Sequence, residues 1–547
     1  MNRLPNFIAL AGLVAGSMVA ALTVAPAANA TMAPLSTAPV AALQYDTPPI
    51  SWGTCGDPGL AQAGAQCGFV TVPLDYAKPH AATVQIAVSR VVHTVPASAY
   101  QGVILVNLGG PGGSGLTASL YGGAIPGGVG TDYDWIGFDP RGVGASIPAL
   151  SCDPNHFGPD RPNYVPTSTA LLQVWLDRSK QYAQACQAAQ PALLRNMRTV
   201  DQAQDIDQIR RALGVPQISF YAYSYGTYLG SVYNTLFPGR LRRAVFDSNV
   251  DPRQIWYRTN LRQNQVEQNS LRLFWSWIAL HHDVYNLGDT ELAVERRYYD
   301  FRAKLLVHPA AGIVGADEID DAFDDAAYTP QYFWPYLAED WANYIHHGDT
   351  YYLQVDYQIA DGPGNDNLVA VYLGTECTDS PWPGKQQQLA DAYRTQPAAS
   401  FYTWNNFWFN APCIFWPAPA AAPTTIVGGT LAPLLLDDYS DGPTPYTGDL
   451  EVRRLYPDGR LIGLPGSNHG VSLNGNPCVD NNVAAYLATG ALPARKPGNT
   501  ADATCPPMPT PVPVTYPGTP TTSQPATAGG AAAHARTPFT TAHLGRP

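Results

Sequence analysis

Residues 217–238 constrain the fold of this chain more than any other stretch. An apolar run at 218–221 leads into a group of small residues around Ser224. A helical pattern then continues to a stop at Pro238 and Gly239, through Tyr228, Leu229, Val232 and Leu236. The pattern therefore predicts a strand, a sharp turn and a helix, with Ser224 in the turn.

Ser224 has small residues at alternate positions, Ala222 and Gly226. This spacing is typical of a nucleophile elbow, in which a strained turn projects a serine hydroxyl above a sheet. The helix N-terminus behind Ser224 favours developing negative charge. The alternative is a buried serine that caps a core helix, because a chain rich in alanine and glycine contains such strings by chance. Ala222 stands where glycine is usual, and alanine fits only with ordinary backbone dihedrals and room for one methyl group.

Further strands are predicted on both sides of the elbow, at 69–74, 84–92, 102–108, 133–139 and 243–246. A helix is predicted over 199–213, with Thr199 and Gln202 as a capping box. Strands that alternate with helices indicate an α/β fold with a doubly wound, mostly parallel sheet, whose ligands bind beyond the carboxyl ends of the strands. We assign residues 51–251 to the first part of this core.

A glycine-rich loop follows the predicted strand at 102–108. Five of the seven residues at 109–115 are glycine, which indicates backbone N–H groups that approach a ligand closely. With Ser224 as nucleophile, we expect an oxyanion hole formed by the N–H groups of Gly110 and Tyr225. A phosphate loop is the poorer alternative, because no Gly-Lys-Ser/Thr follows. In the next loop, Asp139 and Arg141 are expected to form a bracing ion pair.

The pattern changes after Asp251. Residues 252–410 are predominantly helical, with helices expected at 271–281, 290–306 and 332–344. Nine of the twelve tryptophans lie between residues 251 and 416, so this segment can build a core of its own. We predict a helical cap inserted over the catalytic face, in which most aromatic residues form the cap's core and some line a substrate pocket.

The α/β core is expected to resume at 411–505, with strands at 424–428 and 460–464. Three acids, Asp437, Asp438 and Asp441, follow the first of these strands, and His469 follows the second in Gly-Ser-Asn-His-Gly. Serine, aspartate and histidine in this chain order are typical of hydrolases with a nucleophile elbow. The histidine doublets at 281–282 and 346–347 do not indicate a metal site, because adjacent helical residues point apart. We expect neither a metal nor a cofactor.

The N-terminus and the cysteines indicate export. An apolar stretch at 7–24, preceded by Arg3 and followed by Ala-Asn-Ala at 28–30, predicts a signal peptide at 1–30 cleaved near Ala30. A linker or propeptide at 31–50 follows. In an exported chain, eight cysteines predict disulfides rather than metal ligands, since no Cys-x2-Cys spacing occurs. Their spacing favours four local pairs: Cys55–Cys67, Cys152–Cys186, Cys377–Cys413 and Cys478–Cys505. The mature chain is expected to be secreted or associated with the cell wall.

Charge and composition exclude several kinds of partner. A formal net charge of -12 without a basic cluster argues against nucleic acid. Beyond the signal peptide, no apolar run is long enough to predict a membrane span. Residues 506–547 are rich in Pro, Thr and Ala with few large apolar side chains, so we expect a disordered tail.

Together these motifs resemble the secreted tripeptidyl aminopeptidases of actinobacteria, relatives of the proline iminopeptidases among the α/β-hydrolase peptidases. The resemblance covers residues 52–505 and rests on the loops at 109–115 and 139–146, the elbow at 221–230, Leu-Gly-Asp-Thr at 287–290, and Gly-Ser-Asn-His-Gly with Gly-Ala-Leu-Pro at 490–493. It implies an α/β-hydrolase fold and a serine exopeptidase. Such an enzyme releases short peptides, here expected to be tripeptides, from peptide substrates with a free N-terminus, through an acyl-enzyme.

The sequence departs from the family pattern at three places. Ala222 replaces a glycine, and Leu108 stands where the iminopeptidases carry histidine. The family's Gly-Thr-Leu-Asp-Pro-x-Thr-Pro-Tyr is split into Gly-Thr-Leu at 429–431 and Asp-x-x-Thr-Pro-Tyr at 441–446. We therefore assign the triad to Ser224, His469 and Asp441, and treat 432–440 as an insertion. Asp437 and Asp438 stay as alternatives for the acid.

An aminopeptidase must also recognise a free α-ammonium group, so we expect a carboxylate to project from the cap. Glu376 and Asp379, which flank Cys377 and Thr378, are the candidates, and solvated loop acids are the alternative interpretation. Two other functions stay open. One is a secreted esterase or lipase with the same triad. The other is a cell-surface binding protein with a decayed catalytic site, suggested by Ala222 and the split motif.

Overall fold

The computed structural model describes residues 45–159, 161–360 and 362–516. The predicted signal peptide at 1–30, residues 31–44 of the predicted linker and residues 517–547 of the predicted tail lie outside this description. A single sheet of ten strands runs through the described part.

The strands of this sheet alternate with helices along most of the chain. Their order across the sheet is β1-β2-β3-β5-β4-β6-β7-β8-β9-β10, with the bounds β1 (Gly53–Thr54), β2 (Gln66–Pro73), β3 (Thr83–Val91), β4 (Gly102–Asn107), β5 (Tyr133–Phe138), β6 (Ile218–Tyr223), β7 (Leu241–Asp247), β8 (Leu434–Asp438), β9 (Arg460–Leu464) and β10 (Ala503–Thr504). The pairs β1·β2, β2·β3 and β3·β5 are antiparallel, and all the others are parallel. The predicted mostly parallel α/β sheet is therefore confirmed.

Both faces of the sheet are buried, as expected for parallel strands. Alternate residues of β4 enter two separate apolar clusters, with Val103 and Leu105 on one face and Ile104 and Val106 on the other. This explains why β4 reads as a continuous aliphatic run rather than as an alternating pattern. It also leaves the carboxyl ends of the strands as the place where polar groups can gather.

One strand lies where the sequence did not predict it. Residues 424–428 form no strand, and their backbone is held by side chains of the helix that follows β6, since Asn234 donates to the carbonyl oxygens of Val427 and Gly428. The sheet strand is β8 instead, whose leucines are fully buried between β7 and β9. Residues 432–440, which we treat as an insertion into the family's sequence motif, contain this strand of the sheet.

The helices fall into those that pack on the sheet and those of the segment between β7 and β8. They are α1 (Pro58–Gln62), α2 (Thr169–Ala189), α3 (Pro191–Leu194), α4 (Thr199–Ala212), α5 (Tyr225–Leu236), α6 (Tyr257–Leu280), α7 (His282–Tyr285), α8 (Glu291–Val307), α9 (Ala316–Asp324), α10 (Pro330–His347), α11 (Tyr351–Ala360), α12 (Asp366–Asp379), α13 (Lys385–Thr395), α14 (Tyr402–Asn410), α15 (Thr447–Leu455) and α16 (Pro477–Thr489). Short 3-10 turns occupy Leu116–Ala124, Pro126–Asp132, Asp325–Ala327 and Ala411–Phe415.

The segment between β7 and β8 builds an aromatic core of its own. Phe274, Trp275, Tyr298, Phe323 and Trp341 are buried against one another, with ring centroids 4.9–6.1 Å apart where they meet. Helix α12 does not belong to this cluster. Its Val369, Leu373 and Cys377 lie in the apolar core of the sheet instead, so one helix of the predicted cap is part of the α/β core.

All eight cysteines form disulfides in the four pairs expected from their spacing. The last pair, Cys478–Cys505, joins α16 to the end of β10. Residues 506–516 continue beyond it and are not a free tail. Gln331 and Trp277 donate hydrogen bonds to the carbonyl oxygens of Pro509 and Pro511, and Tyr516 stacks on Tyr352 with ring centroids 4.1 Å apart. The expectation of disorder is wrong for these residues, because proline carbonyl groups and one tyrosine find partners on the cap.

Two local predictions are also wrong. Arg141 does not pair with Asp139 but with Asp205 of α4, at 2.6 Å. Asp139 is occupied by the glycine loop, since its carboxylate accepts from the Ser114 hydroxyl and the Gly115 N–H. In α4, Asp201 rather than Gln202 reaches back to the helix start, where it accepts from the N–H of Arg198.

Candidate active site

Ser224 lies in a tight turn between β6 and α5, with φ 55° and ψ -129°. Residues with a side chain rarely adopt a positive φ. The turn packs closely against the glycine loop, because a Cβ added to Gly109 would lie 2.8 Å from the Ser224 Cβ. Ala222 has an ordinary φ and is fully buried. The strand, strained turn and helix predicted from the sequence are all present.

The backbone around Ser224 provides donors for a developing oxyanion. Tyr225 is the first residue of α5, so its N–H has no acceptor one turn earlier in the helix. Gly109 and Gly110 follow β4 with φ of 98° and 100°, which bends the glycine loop over the elbow. The loop is fixed by the Asn107 side chain, which accepts from the Gly109 N–H at 3.1 Å. The expected oxyanion donors therefore lie on two elements that meet at Ser224.

His469, in the loop after β9, contacts Asp441, in the loop after β8. The His469 Nδ1 lies 2.9 Å from Asp441 Oδ2 and 3.2 Å from Oδ1. Thr444 orients the carboxylate through its N–H at 2.8 Å and its hydroxyl at 3.0 Å. Both side chains of the pair are buried, and His469 Nε2 has no hydrogen-bond partner among the described residues. An imidazole that is held at Nδ1 and has no hydrogen-bond partner at Nε2 can accept a proton there.

The loop that carries His469 is tied to the end of β7 and to the elbow. The Asp247 carboxylate accepts from the N–H groups of Val471 and Ser472, at 3.0 and 2.8 Å. The Asp247 carbonyl oxygen accepts from the Ser224 N–H at 3.0 Å. One residue therefore connects the serine turn and the histidine loop. Burial raises the pKa of Asp247 to about 6, and hydrogen bonds from Ser472 and Val471 oppose that shift.

The last two residues of β8, Asp437 and Asp438, and Asp441 just beyond them have different surroundings. Only Asp441 contacts His469. Asp438 accepts from the backbone N–H and side-chain amide of Asn468, at 2.8 and 2.7 Å, and so fixes the residue before His469. Asp437 accepts from the Ser248 hydroxyl at 3.3 Å. The geometry therefore favours Asp441 as the partner of the histidine.

Tyr328 of the cap packs against His469. The Tyr328 carbonyl oxygen accepts from the backbone N–H of His469 at 2.6 Å. The rings of the two residues meet edge to face, with their centroids 5.5 Å apart. Tyr328 follows the 3-10 turn Asp325–Ala327 of the cap. This contact fixes the cap against the catalytic face. It also narrows access to His469.

Sequence reasoning missed four residues of this site: Asp247, Tyr328, Asp438 in its role toward Asn468, and Thr444. Thr444 lies in the Asp-x-x-Thr-Pro-Tyr string, and its spacing from Asp441 could have indicated the contact. Asp247 ends a predicted strand, but nothing in its neighbourhood reveals that it accepts from a loop more than 220 residues away, at Val471 and Ser472. Tyr328 carries no local signal.

The two acids proposed for substrate binding lie on α12 and are both buried. Asp379 accepts from the Thr199 N–H at 2.7 Å, from the Thr199 hydroxyl and from the Trp256 indole at 3.1 Å. Both of its oxygens are thus occupied, and its geometry does not support binding of a substrate ammonium group. Glu376 accepts from Asn260 at 2.9 Å. Burial raises the pKa of Glu376 to about 8.

No three ligating side chains among residues 45–159, 161–360 and 362–516 are grouped to hold a metal ion. None of the helices described there is both long and apolar enough to cross a membrane.

Comparisons with known proteins agree with the α/β fold. Residues 102–361 match a family model described as alpha/beta hydrolase fold, and residues 399–505 match one described as TAP-like protein. The chain is 37% identical over 492 residues to a tripeptidyl aminopeptidase of Streptomyces coelicolor, covering 87% of this chain and 89% of that protein. It is 29% identical over 479 residues to the serine protease Hip1 of Mycobacterium tuberculosis, with 81% and 90% covered. It is 31% identical over 518 residues to carboxylesterase B of the same species, with 88% and 95% covered.

Proposed function

The chain belongs to the tripeptidyl aminopeptidase family of α/β-hydrolase serine peptidases, and from this premise we propose that it is a secreted exopeptidase that releases tripeptides from free N-termini. The observation that carries the proposal is the buried contact between His469 and Asp441, at the end of the sheet where Ser224 occupies its strained turn. Nε2 of the same ring has no hydrogen-bond partner among the described residues. Export is part of the proposal and rests on the signal-like sequence at 1–30 and the four disulfides.

In the proposed reaction, the Ser224 hydroxyl attacks the carbonyl carbon of the scissile peptide bond. His469 Nε2 takes the hydroxyl proton and later delivers it to the leaving amine. Asp441 accepts from Nδ1–H, which fixes the tautomer and stabilises the imidazolium. Water then attacks the acyl-enzyme through the same groups. The N–H groups of Gly110 and Tyr225 hold the oxyanion, and the loss of one such donor typically costs about 100- to 1,000-fold in rate.

Glu376 is the remaining candidate for recognition of the substrate ammonium group. Because burial keeps its carboxyl largely neutral near pH 7, we propose that it ionises only when the ammonium group arrives beside it. Glu376→Gln should then raise KM for substrates with a free amine and leave KM for blocked substrates unchanged. An equal change for both kinds of substrate contradicts this role.

The test of the function is hydrolysis of matched chromogenic substrates with one, two or three residues before the leaving group, each with a free and a blocked N-terminus. Cleavage that depends on the free amine and is fastest at three residues supports the proposal. Ser224→Ala is the control and should lose activity by at least about 1,000-fold. Turnover by Ser224→Ala at the rate of the wild type contradicts the assignment of the nucleophile.

A second candidate function is a secreted esterase, and the similarity to carboxylesterase B is the observation that favours it. The same triad cleaves esters as well as amides. Indifference to the amine, or activity on simple acyl esters alone, points to this function. A third possibility, a binding protein with an inactive site, predicts that a fluorophosphonate does not label Ser224. Labelling that disappears in Ser224→Ala excludes it.

A further inference from the structure

Two more carboxyl groups are buried behind the Asp441–His469 pair. Asp437 is at the end of β8, and Asp449 is in the first turn of α15. Asp437, Asp441 and Asp449 are all fully buried. The proposed mechanism uses only Asp441, so the other two carboxyl groups need a separate explanation.

The contacts among these three carboxyl groups require that one of them is protonated. The Asp437 carboxyl lies within hydrogen-bonding reach of the carboxyls of both Asp441 and Asp449. Asp449 Oδ1 accepts from the Asn249 amide at 2.7 Å, but Asp449 Oδ2 and Asp437 Oδ2 have no donor among the described residues. Two carboxylates cannot hydrogen-bond to each other. One proton on Asp437 turns an orphaned oxygen into a donor and satisfies its neighbour.

The surrounding charges also oppose full ionisation. Titratable groups near the cluster include Asp247 from β7, Asp438 from β8, Tyr446 before α15, His469 after β9 and Glu267 of α6, which packs against Gly442. Within the described ranges, no arginine or lysine forms an ion pair with Asp437, Asp441 or Asp449. Three buried negative charges beside a single imidazole are strongly unfavourable. In agreement, burial and the neighbouring carboxylates raise the pKa of Asp437 well above its usual value.

We propose that Asp437 is a positioning residue that works as a neutral carboxylic acid, donating its O–H within the Asp441–Asp449 pair so that Asp441 is the charged member facing His469. The proton stays on Asp437 throughout the reaction. The inference rests on the proposed serine–histidine–aspartate chemistry and not on the choice of peptide substrate. It assigns a neutral role to Asp437 and a charged role to Asp441, although the two side chains are chemically identical and only four residues apart.

The test compares Asp437→Asn with Asp437→Ala in the full-length protein. The readout is the rate of acylation by a neutral fluorophosphonate, measured from pH 5 to 9. Asparagine is neutral and keeps a donor, so we expect a rate within about threefold of the wild type and an unchanged acid limb. Alanine removes the donor, and we expect the rate to fall by about tenfold or more with the acid limb displaced to higher pH.

Three results overturn the proposal. If Asp437 is ionised, Asp437→Asn removes a negative charge near His469, which destabilises the imidazolium and moves the acid limb down by about one pH unit. Equal damage by asparagine and alanine shows that no donor is involved. An unaffected Asp437→Ala shows that no positioning occurs. Final labelling stoichiometry and thermal unfolding separate misfolding from these outcomes.

A second readout does not need catalysis. The infrared C=O stretch of a protonated carboxylic acid should be present in the wild type at pH 7 and weakened in Asp437→Asn. If the wild type does not react with the fluorophosphonate but shows this band, the proposed function fails while the neutral acid stands. Absence of any difference in this band between the two proteins shows that Asp437 is ionised.

Discussion

At the scale of single residues, the turn at Ser224 depends on the missing side chain of its neighbour Gly109. A positive φ at a non-glycine residue costs of order 1–3 kcal/mol. Here β6 and α5 hold the turn in place, and Gly109 leaves room for it because it has no side chain. Ala222 replaces the family's glycine without disturbing this arrangement, because its own φ is ordinary and its methyl group is accommodated beside Gly226. One of the two reasons for suspecting a decayed site is thereby removed.

Gly109→Ala tests how tightly the elbow is packed. The added Cβ would lie 2.8 Å from both the Ser224 Cβ and the Tyr223 carbonyl oxygen, at a backbone φ of 98°. We expect a loss of about 2 kcal/mol or more in the free energy of unfolding, measured by denaturant titration, together with slower acylation of Ser224. Gly123→Ala is the matched control, because nothing lies within 4 Å of its added Cβ. Equal stability of the two variants argues against the described packing.

Asp441→Asn, compared with Asp438→Asn, tests which of these two acids serves the histidine. Asparagine cannot hold His469 in the required tautomer, so we expect turnover to fall by about 10,000-fold with little change in folding. Asp438→Asn is the matched control at the same strand end. It weakens the hold on Asn468, and we expect a much smaller loss, about tenfold. The measurement is kcat with a chromogenic substrate, and the reverse order of the two losses assigns the acid to Asp438.

At the scale of elements, the position at which β8 ends determines which acid can reach His469. The predicted strand at 424–428 places all three acids in a loop, where each could reach His469. The observed strand ends at Asp438, so Asp437 and Asp438 are held by the sheet while Asp441 lies free to turn toward β9. Helix α12 shows the same effect: its Asp379 binds the start of α4 and Trp256, while Glu376 one turn earlier faces Asn260.

Glu376 on α12 should make the fold more stable in mild acid. Its pKa is about 8 in the folded protein, against an ordinary value of 4.5. Between these values the unfolded chain has lost the proton and the folded chain keeps it, so the free energy of unfolding falls as pH rises and levels off above about 8. We expect thermal or denaturant unfolding to show higher stability at pH 5 than at pH 8. Glu376→Gln should flatten this dependence, and an unchanged slope in the variant assigns it to other groups.

At the scale of the whole molecule, residues 506–516 connect the two parts of the enzyme. They leave the sheet at the Cys478–Cys505 disulfide and lie along α6, α10 and α11 of the cap. The Tyr516 hydroxyl donates to Asp340 at 2.7 Å, and its N–H donates to Glu339 at 2.8 Å. This strap adds to the other contacts between the cap and the core, such as those of Tyr328 with His469 and of Gln263 with Pro443.

Truncation tests the strap. Removal of residues 509–547 deletes the partners of Trp277, Gln331, Glu339 and Tyr352, while removal of 517–547 leaves those partners in place. We expect only the longer truncation to lower the thermal midpoint and to speed proteolysis within the cap, because the cap then loses one of its attachments. The comparison is limited proteolysis with mass-spectrometric mapping. If both truncations behave like the full chain, the strap has no stabilising role.

Features set by local chemistry were predictable from the sequence. The elbow around Ser224, the glycine loop, the glycine-flanked turn with His469 and the four disulfide pairs all depend on residue types within a few dozen positions, where backbone preference and spacing decide the structure. The family resemblance also rests on such short strings. For this reason the fold class and two members of the proposed triad followed from the sequence alone.

Only the tertiary structure decided which polar groups meet across long separations. The choice among Asp437, Asp438 and Asp441 depends on where β8 ends, and the partner of Arg141 depends on the packing of α4 against the 139–146 loop. For the same reason Asp379 binds Thr199 and Trp256, and residues 506–516 lie along the cap. A buried carboxylate or carbonyl group takes whichever donor the packed fold brings within reach, and chain spacing does not determine which donor that is.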